Sequence, residues 1–365
     1  MKKLKLAKKI LKHKTYYKHC RKQRKNKYER AFDMFKWYLK YGNINTYYNK
    51  YGLDIKGLHN PNDYMDSLDA WIKLGRKYKK KKFPYSLFQK KITPKNHYAA
   101  LTYDKYLFSI VMRDIYGDKV TPKIHAVFNK GVATMPYGYS KTIEECLNSL
   151  KEGERLVFKL IGSMQGRGFI LVEKRKKGYE YNYGKMNKEE FDESINKGIY
   201  IMQDYVVQHS VMNKLNPSAI NTVRLVTFRT TEGIKLFSSA VRISSASNTP
   251  VDNMAEGGMV VGVNEEKGTL RKFGYFKNKP CVEKHPVTNT VFEGFKIPYY
   301  DEAVELVKKC HNVFKDVPTI GWDIAITNEG PVLIESNENW DFPMMQIANG
   351  GLKQKFEELY SIIKL

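Results

Sequence analysis

Two carboxylates and a carboxamide near the C-terminal end carry the first chemical suggestion in the sequence. In Gly321-Trp322-Asp323-Ile324-Ala325-Ile326-Thr327-Asn328-Glu329-Gly330-Pro331-Val332-Leu333-Ile334-Glu335-Ser336-Asn337, two apolar runs flank Asn328-Glu329-Gly330. That reads as a three-residue turn with glycine where a left-handed backbone is wanted. A regular antiparallel ladder from such a turn sets Thr327 opposite Pro331 and Asp323 opposite Glu335. Directly opposed residues have Cβ atoms about 4.5–5.5 Å apart. Asn337 lies two residues on and shares the face of Glu335, together with apolar Ala325 and Leu333. Opposed carboxylates repel unless a cation lies between them. Asp, Glu and Asn are oxygen ligands, suited to Mg²⁺ and unsuited to zinc or copper. The plainer alternative is the polar end of a hairpin facing solvent.

A second constellation is Val157-Phe158-Lys159-Leu160-Ile161-Gly162-Ser163-Met164-Gln165-Gly166-Arg167-Gly168, a lysine at a strand end before a glycine-rich loop. Glycines let backbone N–H groups approach phosphate oxygens, and the lysine adds a point charge. The order is not that of a P-loop and no helix follows, so taken alone the segment is also consistent with a plain turn. Arg224 and Arg242 each sit between a valine and another apolar residue on strand-like runs. A planar guanidinium suits a carboxylate or phosphate, or else a surface salt bridge. Asp252, Asn253, Gly257 and Gly258 form either a loop able to close over a ligand or a simple linker. His209 and His285 are lone histidines, more often structural than acid–base groups.

The elements that must position these residues read as α+β. Strands are expected at Leu156–Leu160, Phe169–Val172, Ile199–Val207, Thr222–Arg229, Leu236–Ile243, Val260–Val263, Ile320–Thr327 and Val332–Glu335, with helices at Leu101–Tyr116 and Asp301–Phe314. Antiparallel hairpins with helices grouped apart argue for that class. The 365 residues allow two or three domains, and 42% hydrophobic and 13% aromatic content excludes a mainly disordered chain. No apolar run is long enough to span a bilayer, no signal-like segment opens the sequence, and the four cysteines form no cluster, so a cytoplasmic protein is expected.

Charge divides the chain. Residues 1–100 hold 28 basic and 6 acidic side chains, net +22, against 35 and 32 thereafter. A helical segment is expected at Phe32–Leu39, and a second basic cluster at Lys73–Lys91 is interleaved with Tyr78, Phe83, Tyr85 and Phe88. These clusters fit a solvated helical face or a surface for a polyanion such as an anionic membrane or lipid-linked phosphate. No zinc-finger or RNP-type signature supports nucleic acid.

Together the blocks resemble a known family. Lys105 in Tyr103-Asp104-Lys105, Lys159 with its glycine loop, Met202-Gln203-Asp204-Tyr205-Val206 and Asp323…Glu335-Ser336-Asn337 look like the ATP-grasp superfamily over about residues 100–350. Asn221-Thr222-Val223-Arg224, Val241-Arg242-Ile243 and Val251-Asp252-Asn253…Gly257-Gly258 are similar to its glutamate-ligase-like branch. The sugar-transfer-associated ATP-grasp group of bacterial surface polysaccharide genes is the nearest likeness. Residues 1–95, basic and helical, depart from the family's usual start, and a C-terminal helix is expected at 351–365; the resemblance implies an ATP-grasp domain at 96–350. Within that domain it implies a nucleotide-clasping subdomain at about 156–207 and a metal and substrate subdomain at 208–350.

By the same resemblance Lys105 and Lys159 contact ATP phosphates under Gly162, Ser163, Gly166 and Gly168. Gln203 meets the adenine amine, with Asp204 and the backbone near Val206 beside the ring. Asp323, Glu335 and Asn337 hold Mg²⁺, or Mn²⁺. Arg224, Arg242 and Asn253 are the expected catalytic set, and Asp252, Gly257, Gly258 and His285 the substrate set. The implied reaction is amide formation through an acyl phosphate. It would join a carboxylate acceptor, on a lipid- or nucleotide-linked sugar, to an amino acid or other amine. A phosphotransferase, or a nucleotide-binding scaffold at an anionic membrane, is the alternative.

Overall fold

The computed structural model describes residues 24–42, 45–74, 78–79, 89–90, 100–134, 140–163, 166–247, 252, 254, 257–277 and 279–363. A short ribbon pairs β1 (Tyr78–Lys79) with β2 (Gln89–Lys90). Most of the expected basic cluster at 73–91 lies outside the described residues, as does Asn253.

The first large sheet contains β3 (Ile124–Asn129), β4 (Val132–Thr134), β5 (Ser140–Lys141), β6 (Arg155–Leu160), β7 (Phe169–Lys174), β8 (Tyr179–Tyr181) and β9 (Ile199–Asp204). All pairings are antiparallel, in the order β5-β4-β3-β9-β6-β7-β8. Side chains alternate across a strand, and that alternation sorts this sheet. Phe128, Leu156, Phe158, Ile170, Val172, Tyr200 and Met202 enter one core with Phe191 and Ile195 of the helix Lys188–Lys197. Val157, Lys159 and Gln203 are thereby left to the other face. The sheet starts at Ile124, ahead of the strands expected from 156 onward. β4 and β5, of three and two residues, are too short for a sequence period to show, whereas β3 does alternate, with Ile124, Ala126 and Phe128 inward.

The second sheet contains β10 (Val223–Thr230), β11 (Gly233–Ile243), β12 (Met259–Asn264), β13 (Thr269–Phe276), β14 (Thr319–Thr327) and β15 (Gly330–Asn337), in the order β13-β12-β11-β10-β14-β15. One face packs Val223, Leu225, Trp322, Ile324 and Leu333 beneath the helix Tyr300–His311 and the helix Lys105–Tyr116. The opposite face is shared. At one end Val226, Phe228 and Phe237 join Met34, Trp37, Tyr47, Trp71, Trp340, Phe342 and Phe356 in an aromatic core. At the other end the same face carries Arg224, Arg242 and Asp323.

The described residues 24–42 and 45–74 are therefore built into the second sheet's core. Gln346 fastens the join: its amide donates to the Met65 carbonyl at 2.9 Å and to the Tyr47 hydroxyl at 2.5 Å, and accepts from the Met65 N–H at 3.0 Å.

The β14–β15 hairpin differs instructively from its expected register. Its turn has two residues, with Thr327 opposite Gly330 and Ile324 opposite Leu333. A bulge then adds Ile334 to β15 and restores Asp323 opposite Glu335. Leu333 consequently faces the buried core and does not accompany the carboxylates.

Candidate functional site

The two sheets face each other across a cleft whose wall changes character along its length. Val157 and Phe169 from the first sheet, Val206 from the connecting segment and Ile334 from the bulge form an apolar end with Gln203. Lys105, Lys159, Arg242, Asp252, Asp323 and Glu335 form a charged end. Strand alternation brings one residue to each end, Val157 to the apolar and Lys159 to the charged, since both flank core-bound Phe158. The bulge brings in Glu335, because the extra Ile334 turns it onto the face of Asp323.

Lys105 opens its helix behind an Asp104 cap, whose carboxylate accepts from the Tyr106 and Leu107 N–H groups at 2.9 and 3.0 Å. A cation at a helix N-terminus opposes the helix dipole, so the position is unfavourable without an anion nearby. Its ammonium donates to the Ser163 carbonyl at 2.7 Å, tying the helix to the glycine loop. Gly162, Gly166 and Gly168 all have positive φ, near 70°. At Gly168 an added Cβ would also stand 2.6 Å from the Leu160 Cβ, so this loop closes only with glycine there. Ser163 and Gly166 line the cleft, whereas Gly162 and Gly168 support it from behind.

Charge is the site's most constrained feature. Arg224, only 6% exposed, grips Asp323, only 2% exposed, through Nε–Oδ1 and through Nη2–Oδ2 at 2.9 Å. Arg242 donates to the same Oδ2 at 2.8 Å and to Asp252 Oδ1 at 2.5 Å. Thr222 then donates its hydroxyl and N–H to Asp252 Oδ2. Burial raises the Asp323 carboxyl, but the two guanidiniums outweigh it and hold the group below the carboxylate range. Burial pushes Asp252 up to about 6 against the pull of Arg242. Lys159 is pushed down to about 8, first by burial, with Lys105 adding repulsion and Glu335 opposing it. The expected repulsion between Asp323 and Glu335 is thus relieved by arginines, which sequence pairing within one hairpin cannot reveal.

The remaining expected residues are placed unequally. Asn337 donates to Glu335 Oε1 at 3.2 Å and lines an adjoining pocket that shares Lys105, Ser163 and Glu335 with the cleft. Asp204 lies at the rim with its carboxylate held by His125 Nε2 at 2.5 Å. His285 is apart from the cleft and fully buried. Its Nε2 donates to the Ser244 carbonyl at 2.8 Å and its Nδ1 accepts from Thr288 N–H at 3.1 Å, so it is a structural pin. Gly257 and Gly258 do not line the cleft; the Gly257 carbonyl accepts from Ser245 Oγ at 2.6 Å. Asn221 is also structural: its amide donates to Gln208 Oε1 at 2.9 Å within a buried amide network that sets the course of the connecting segment. Sequence reading did not single out Arg167, Tyr183 or Thr222, which line the cleft. For Tyr183 the only trace is a positive φ of 57°, visible in no sequence.

Solved structures of similar fold include a D-alanine–D-alanine ligase from Helicobacter pylori, 12% identical with a TM-score of 0.39 over 72% of this chain and 62% of that one. An N5-carboxyaminoimidazole synthetase from Staphylococcus aureus, complexed with ADP, is 12% identical with a TM-score of 0.42 over 74% and 55%. A D-alanine–D-alanine ligase from Bacillus anthracis, complexed with ATP, is 11% identical with a TM-score of 0.39 over 73% and 68%. The chain spans about half to two thirds of the length of such structures. No curated protein matches it. The model of the sugar-transfer associated ATP-grasp family matches residues 86–360, which contain both sheets and every cleft residue described, and the chain belongs to that family.

Proposed function

We propose that the protein is an ATP- and Mg²⁺-dependent carboxylate–amine ligase that modifies a capsular or other cell-surface polysaccharide precursor. The observation that carries this reading is the cleft itself, an apolar end with a buried amide leading to a charged end. There three cations, Lys105, Lys159 and Arg242, meet three carboxylates, Asp252, Asp323 and Glu335, and Arg224 holds Asp323 from outside the lining. Such a cluster suits a polyanion and stabilises charge moving onto a transferred phosphoryl group.

In this reading Gln203, only 6% exposed, offers its amide oxygen to the adenine amine, while Val157, Phe169 and Ile334 exclude water from the ring. Lys105 and Lys159 hold the phosphate chain, and Lys105 already bonds the loop that lies over it. The donor set Asp323, Glu335 and Asn337 is all oxygen and fits a hard cation. Glu335 and Asn337 are the members that no arginine engages among the described residues. Bound there, Mg²⁺ or Mn²⁺ would neutralise charge on the phosphate oxygens. In this reading Arg242, which lines the cleft, orients the carboxylate acceptor. The acceptor oxygen takes the γ-phosphoryl group, ADP leaves, and the acyl phosphate is then attacked by an amine, which loses a proton as phosphate departs.

Incubation with ATP, Mg²⁺ and panels of uronic or lipid-linked acids and amino acids tests this. Ligation yields ADP, inorganic phosphate and an acceptor heavier by the amine less water. ADP with a phosphorylated hydroxyl would instead make the protein a phosphotransferase, and no turnover with intact ATP binding would make it a scaffold.

A further inference from the structure

Beyond the cleft, the most unusual surface is on the helix Lys27–Tyr41. Its inward face buries Met34 and Trp37 in the aromatic core. Its outward face carries Tyr28, Phe32, Phe35 and Leu39, exposed by 81%, 57%, 52% and 68%. These positions follow i, i+4, i+7 and i+11, so at 100° per residue they form one narrow stripe along about 16 Å of helix, opposite Trp37. Single exposed apolar residues need no explanation, but four aligned side chains form a patch that costs solubility unless something covers it.

The charge around the stripe selects the partner. Both acids of this helix are already paired, Asp33 with Lys25 at 2.6 Å and Glu29 with Lys56 at 3.6 Å. Lys27, Lys36 and Lys40 add positive charge on the same helix, and Lys36 stands 4.4 Å from the Phe32 ring centre. The 23 residues that precede the described chain carry ten Lys or Arg and no acid. A stripe of three aromatic rings and a leucine accompanied by cations meets both needs of a lipid interface, where rings enter the acyl boundary and lysines reach headgroup phosphates.

We propose that the helix Lys27–Tyr41 docks the protein on an anionic lipid bilayer through this stripe. The proposal does not rest on the ligase reading, since docking is measured without turnover. It is tested by co-sedimenting the full chain with vesicles of phosphatidylcholine containing about 30% phosphatidylglycerol, at low and high salt. The parent protein should bind at low salt, more weakly at high salt, and far less to pure phosphatidylcholine. The combined Phe32→Ser, Phe35→Ser and Leu39→Ser variant should lose on the order of a hundredfold in vesicle affinity, because apolar insertion is removed while the lysines remain. Its melting temperature and ATP affinity should match the parent, as none of the three side chains is buried. A Phe35→Trp variant should shift its emission to the blue on vesicle addition and be quenched by brominated lipid.

Three results would overturn the proposal. One is failure of the parent to sediment at low salt, and another is parental vesicle binding by the triple variant. The third is a Phe35→Trp emission already blue-shifted without vesicles. If the parent is then dimeric and the triple variant monomeric, a second copy covers the stripe; if both are monomeric, the chain's own remaining segments do.

Discussion

Asp323 and Glu335 stand opposite each other, yet neutralising them one at a time should have very different consequences. Asp323→Asn removes the only carboxylate bonded to Arg224 among the described residues, and that guanidinium is 6% exposed. Arg242 retains Asp252, so the loss falls mainly on Arg224. Breaking a buried pair by removing one partner costs about 3–5 kcal/mol, because the other charge stays buried and uncompensated. With an unfolding entropy of roughly 2.1 cal/mol/K per residue, a chain of 365 residues should melt about 4–7 °C lower. Glu335 is only half-buried and is bonded by the Asn337 amide, so Glu335→Gln should melt within about 1 °C of the parent, as substitutions that break no buried pair do. Both variants should lose turnover and Mg²⁺-dependent ATP binding. Differential scanning calorimetry and urea titration read the stability contrast, and ATP titration with and without Mg²⁺ reads the second. Equal melting temperatures for the two variants would refute the reasoning, since Arg224 would then not depend on Asp323.

Lys159→Ala and Lys105→Ala should each weaken ATP binding by about 1.5–3 kcal/mol, the range for a charge-assisted hydrogen bond, measured by calorimetric titration; unchanged affinity in both would reduce the glycine loop to a turn. Nucleotide affinity should also fall as pH rises through about 8, because burial lowers the Lys159 ammonium to that value and only the protonated form attracts phosphate. Lys159→Arg should remove this pH dependence, since guanidinium stays charged throughout the range. Gly321→Ala should destabilise the protein by about 1–3 kcal/mol in denaturant titration, the usual cost of overpacking, because the new Cβ would sit 2.5 Å from the Trp340 Cβ.

The α+β class, the strands that carry the site and the opposition of Asp323 to Glu335 could all be read from the residues. Each rests on local information: period-2 alternation around Phe158, turn residues at Asn328-Glu329, and short separations in the chain. The three-residue turn expected from Asn328-Glu329-Gly330 gives the observed pairing only because two shifts cancel. A two-residue loop shifts the ladder by one, and the Ile334 bulge shifts it back. Backbone geometry of that kind leaves no mark on composition.

What only the tertiary structure decided are the relations between distant segments. Arg224 and Asp323 are 99 residues apart and Arg242 and Asp323 are 81 apart, so nothing local shows that arginines neutralise the carboxylate. His285 and Asp252 look equally polar in sequence; burial with two backbone partners makes one a pin, and a place beside Arg242 makes the other part of the charged cluster. Helical spacing marks Phe32, Phe35, Trp37 and Leu39 alike as apolar. Which of them face the core and which face solvent depends on where the second sheet lies, and only the folded chain supplies that surface: Trp37 is buried against it, and the other three point away.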